Sequence, residues 1–201
     1  MTDGPDVHHT HLRRLPVVAL LPALLFGVVR QAWAQDPRLA ARLPEPLALR
    51  ITRLADSART LGLPSEPLIQ KALEGDSKGA DGARIEAAVA ALLGNLSRAR
   101  EALGTRVSDD VIHAGAQALR LGATATQLHH LQELRGDRPL AVPLGVFTDL
   151  LAAGVPMERA WQSVQDVARH GGEDRQYERL RERVGPQPSE PTDRHPPTGQ
   201  P

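Results

Sequence analysis

"LLAAGVPMERAWQSV", residues 150–164, decides the fold class. Gly154 suits the left-handed position that ends a helix, Val155 can fold back on the apolar residues one turn earlier, and Pro156 suits a first helical position. The stretch therefore predicts one helix stopping and another starting within two residues. "RTLGLPSEPLIQ", residues 59–70, sets Gly62, Leu63 and Pro64 in the same relation, and "LRLGATATQL" sets Gly122 before Ala123 and Thr124. This third copy has no proline, but Thr124 and Gln127 have the spacing of a capping box.

The three glycines are 60 and then 32 residues apart. Two helices with their connections fit in about 32 residues, the scale of helical-repeat units. The longer interval needs one more helix, and "ARIEAAVAALLGNLSRAREALG" supplies it, with Ile85, Ala88, Val89, Leu92, Leu96, Ala99 and Leu103 on one face. Further helices are expected from about Pro46 to Leu61, from Ser65 to about Leu73, and from Ser108, as N-cap, to Gly122. Others carry Leu128, Leu131 and Leu134, then Leu144, Phe147 and Leu151. Met157, Ala160, Trp161, Val164, Val167 and Ala168 form the cleanest amphipathic stripe, and Tyr177, Leu180 and Val184 a closing helix. "EGDSKGADG", 74–82, reads as a flexible internal loop. No run alternates as a strand does. The expectation is an all-α array of about eight short helices in helix-turn-helix pairs, forming a single domain with no sheet. The period is also that of tetratricopeptide arrays, but their aromatic signature is missing and no family is assigned.

Residues 1–34 read as a cleaved secretory signal peptide. "HLRR" is a basic start, "LPVVALLPALLFGVV" an apolar core of 15 residues, and "AWA" at 32–34 a small-x-small site, so cleavage falls between Ala34 and Gln35. That core is shorter than the roughly 20 residues needed to span a bilayer, so no stable membrane span is expected after cleavage. The helical domain is assigned to 35–185. Residues 186–201 form a proline-rich tail with no large apolar group, which cannot bury enough surface to offset its ordering entropy, and they are expected to be disordered. Export to the periplasm or the extracellular space follows.

Composition excludes several classes. There is no cysteine, hence neither thiol chemistry nor a lipid-modified cysteine. Formal charge is zero, with acids and bases interspersed, so the chain lacks the basic field of a nucleic-acid binder. Its bases are almost all arginine, the two lysines being Lys71 and Lys78, a skew read as GC-rich coding.

Candidate sites are few. His113, His129, His130 and His170 offer imidazoles, and Asp109/His113 and His129/Glu133 are four apart, but three or four converging ligands are not in evidence and no metal is expected. "GDSKG" lacks the strand and spacing of a phosphate loop or a nucleophile elbow. "RGD" at 135–137 reads as an ordinary turn, and the acceptor "NLS" at 95–97 lies inside a helix. Glu66, Glu74, Glu86 and Glu101 look like solvent-face residues, so no catalytic residue and no cofactor is assigned. The Trp161 stripe reads first as core packing; alternatively Phe147, Met157 and Trp161 line a groove that anchors a partner peptide. The resulting expectation is a non-catalytic interaction or scaffold module binding an envelope protein. The alternative is a small-molecule site between helices, drawing on Arg120, His129 and His130.

Overall fold

The structure, a computed structural model, describes residues 36–184. The expected signal peptide with its Ala34/Gln35 site, and the proline-rich tail, lie outside these residues. Nine helices and no strand occur among them: α1 Pro37–Arg42, α2 Glu45–Thr60, α3 Glu66–Ser77, α4 Gly82–Leu103, α5 Asp109–Arg120, α6 Ala125–Arg135, α7 Ala141–Ala152, α8 Met157–Arg169 and α9 Asp174–Val184.

The glycine device is a Schellman turn. Gly62, Gly122 and Gly154 have positive φ. The next amide donates back to the helix they close: Leu63 to the Ala58 carbonyl at 2.8 Å, Ala123 to Ala118 at 3.0 Å and Val155 to Leu150 at 3.0 Å. Gly79 and Gly171 make the same turn, through Ala80 to Gly75 and Gly172 to Val167. The Thr124/Gln127 capping box is present in both directions. Pro156 is the N-cap of α8, one position before that expected, and Ser108 caps α5 by position without a side-chain bond.

One expectation is corrected, and one helix adds to the eight read from the sequence. Residues 74–82 are not one loop, because α3 continues to Ser77. Gly75 is a contact residue in that helix, not a breaker: a Cβ there would stand 2.8 Å from Ile85 Cγ1, so its absence brings α3 down onto α4. The ninth helix is α1, which the count of eight missed. Asp36 accepts the Arg38 amide and Pro37 occupies the first turn, a start signal followed by a single apolar anchor, Leu39, too short a run to show periodicity.

Packing follows chain order. α2, α4, α6 and α8 pack successively in one layer; α1 packs on α3, and α5 on α7 and α7 on α9, in the other. The two layers meet along α2/α3, α3/α4, α4/α5, α7/α8 and α8/α9. The core is mostly leucine and alanine with some isoleucine and valine, and Phe147 and Tyr177 are its bulkiest members. Such neighbour-to-neighbour burial is the logic of a helical repeat array. α3 and α5 share no extensive contact, and the second layer is open between them.

Candidate functional site

The opening between α3 and α5 is a groove of about 820 Å³. Its α3 wall presents Glu66, Gln70, Lys71, Glu74 and Lys78, and its α5 wall Asp109, Asp110, His113, Gln117 and Arg120; both rows recur every three or four residues, as one helix face must. Leu92 of α4, with Pro64 and Pro67, supplies apolar surface to the groove.

Arg100, near the end of α4, fixes the direction of the two walls. One of its Nη groups donates to the Gly62 carbonyl at 2.6 Å, just before α3, and the other to the Thr105 carbonyl at 3.1 Å, just before α5. Both walls therefore start at the C-terminal end of α4, while Gly75 meets Ile85 near its N-terminal end. α3 and α5 thus run parallel to each other and antiparallel to α4.

Each wall is wired internally. Lys71 Nζ donates to Glu74 Oε2 at 2.9 Å and Lys78 to Glu74 Oε1, so the two ammonium groups, Lys78 foremost, hold the Glu74 carboxyl down to about 2. Glu66 accepts from Arg38 at 2.8 Å and from Gln70 at 2.7 Å, and is held below the usual carboxylate range mainly by Arg38. On α5, Arg120 Nε donates to Gln117 Oε1 at 2.8 Å, and Gln117 Nε2 lies 3.0 Å from His113 Nε2, which accepts. Burial pushes the His113 imidazole below its ordinary value, with Asp110 opposing. It is therefore neutral at pH 7, with Nδ1 as its remaining donor. Asp109 and Asp110 make no ion pair among the described residues.

A second cavity, of about 550 Å³, lies between the α4/α5 and α6/α7 connections. Arg106, Arg138, His129 and Gln132 line it, and Gln132 Oε1 is buried there without a partner.

No family model, curated protein or solved structure matches this chain. Its chemistry rests on the residues alone.

The structure brings Phe147 and Trp161 together but separates the residues expected to form a small-molecule site. Phe147 is fully buried beneath Trp161, at 5.8 Å between ring centroids, so it presents no surface of its own. Trp161 is half-buried between Phe147 and His130, and Met157 reaches the Gly122 turn. Ala160, Val164 and Ala168 of the same stripe are core residues. Arg120 lies in the α3/α5 groove, His129 at the second cavity and His130 against Trp161, so the three do not form one pocket. His129 and His130 both meet Glu133, at 3.3 and 3.4 Å, and no group of three metal-ligating side chains occurs among the described residues. Glu86 pairs with Arg50, and Glu101 lines the second cavity. Asn95 is buried in α4, and Arg135 of the RGD tripeptide is buried too. No helix among the described residues is long and apolar enough to cross a membrane.

Sequence reasoning missed the groove. Its signal was present in Lys71 and Lys78, seven apart on one helix face with Glu74 between them.

Proposed function

We propose that this protein is an exported, non-catalytic interaction module of the cell envelope that binds a segment of another protein in the α3/α5 groove. The groove itself carries the reading: it is open along two parallel helices and offers side-chain amides, charges and a little apolar surface. Peptide recognition uses this mixture. The wiring of its acids supports a non-catalytic role, because Glu66 and Glu74 are held as anions by basic partners, the opposite of what a general acid at neutral pH requires. Export rests on the sequence of residues 1–34. The first described helix begins at Pro37, so cleavage after Ala34 takes nothing from the described helices.

The test is purification of the tagged full chain from the envelope fraction, beside the double variant Gln70→Ala/Gln117→Ala, with intact-mass analysis of what elutes. The expected result is a chain starting at Gln35 and a stoichiometric protein partner that the variant loses while its circular dichroism is unchanged. A partner retained equally by both overturns the groove reading. A bound small molecule in place of a protein favours the ligand-binding alternative.

A further inference from the structure

The α3/α5 groove is electrically polar along its length. At the end where both walls start stand Asp109 and Asp110, while Glu66 shares the single guanidinium of Arg38 with Asp36. At the other end Arg120 ends α5, and Lys71 and Lys78 share the single carboxylate of Glu74. With His113 neutral between them, about three uncompensated negative charges stand at one mouth of the groove and two positive charges at the other. Acids at a helix start and bases at its end also serve the helix dipole. A site arises because two such helices lie parallel on either side of the break in their layer, so their polarities add.

We propose that the occupant is an extended segment of another protein, with basic side chains at one end, acidic side chains at the other and an apolar residue between them over Leu92. This rests on the interaction reading above and specifies its partner. Each wall is 12 residues long. That is about 18 Å at 1.5 Å per residue. An extended chain at about 3.3 Å per residue covers this span in five or six residues. Gln70 donates to Glu66 through one amide hydrogen and Gln117 is held by His113 and Arg120, which leaves the Gln70 carbonyl and the second hydrogen of each amide for the backbone of the segment.

The inference is tested with two capped peptides of identical composition, KKALAEE and KEALAKE, titrated into the isotope-labelled full-length protein and followed by amide chemical shifts. The bipolar peptide is expected to bind roughly tenfold more tightly, the ratio that two or three exposed ion pairs supply, with shifts confined to α3, α5 and Leu92. Its advantage is expected to vanish in the variant Asp109→Asn/Asp110→Asn/Lys78→Gln/Arg120→Gln, checked for folding by circular dichroism. Equal binding of both peptides in the groove overturns the polarity while leaving the groove reading intact. No shift at α3 or α5 with either peptide overturns the proposed occupant, and loss of the partner from Gln70→Ala/Gln117→Ala still decides the broader reading independently.

Discussion

Replacing Arg135 with methionine should be the most damaging single charge removal in the described structure. The side chain is buried at 4 % exposure. Its guanidinium donates to the Pro139 carbonyl at 2.7 and 3.2 Å and to the Gly172 carbonyl at 2.6 Å, and sits 5.4 Å from the centroid of the Tyr177 ring. It therefore ties the α6/α7 connection to the α8/α9 connection and seats the aromatic anchor of α9. Methionine keeps much of the volume but strands two carbonyls, at about 1–3 kcal/mol each, and removes a cation–π contact of about 1 kcal/mol. The expected loss is about 3–5 kcal/mol, or about 10 °C in Tm for a chain of this size. Because the array packs neighbour on neighbour, the loss should fall first on α9: hydrogen exchange across Asp174–Val184 should accelerate by about 100- to 1,000-fold, with α2 to α4 little changed. Arg181→Ala is the control, since its ion pair with Asp149 at 3.4 Å is half exposed on both sides and is worth under about 1 kcal/mol. A Tm within 2 °C of wild type for Arg135→Met, with α9 protection retained, would refute the clamp.

Two interior glycines should respond in opposite directions to alanine. At Gly115 a Cβ would meet Leu103 Cδ1 at 2.9 Å and Ala99 Cβ at 3.2 Å, so Gly115→Ala should cost about 1–3 kcal/mol in urea denaturation. At Gly145, inside α7, nothing lies within 4 Å, and Gly145→Ala should raise the unfolding free energy by about 0.5–1 kcal/mol; equal effects would contradict the packing. The pH response of His113 has a definite sign. Its folded value lies below the ordinary 6.5, so the unfolded chain takes the proton first and stability falls as pH drops from 6.5 toward that lowered value. Above 6.5 the imidazole contributes no slope. Denaturation midpoints across this window should decline less in His113→Gln than in wild type, and parallel curves would exclude the imidazole as the cause.

The helical class was legible because its signals are local. A glycine before a short apolar residue, a threonine three residues before a glutamine, and leucines at helical spacing each act within one or two turns, and each recurs in the structure. α1 was missed because six residues with one apolar anchor carry no period. Gly75 was misread for a subtler reason: a glycine that permits a close contact is indistinguishable in sequence from one that ends a helix, and only the approach of Ile85 separates them. The groove was invisible because none of its residues is unusual alone. Glu66, Glu74, Asp109 and Arg120 are ordinary helix-surface residues, and a site emerges only when two helices 43 residues apart at their starts are set side by side.

Gly75 and Gly115 together explain why the layer opens where it does. α4 is 22 residues long, nearly twice the length of either wall helix. Gly75 draws α3 onto it near Ile85, and Gly115 draws α5 onto it near Ala99 and Leu103. Leu92 lies midway between those contact points. Each wall is thus anchored on α4 at a different end, and neither needs the other to bury its apolar stripe, so the faces they turn toward each other are free to be polar. Elsewhere in that layer the helices bury side chains between them, as Phe147, Leu150 and Tyr177 do around α7 and α9. Charged residues on the facing surfaces of α3 and α5 would prevent that closure. The close contacts on α4 and the polar walls are therefore one arrangement, in which burial beneath the two helices leaves the surface between them available for recognition.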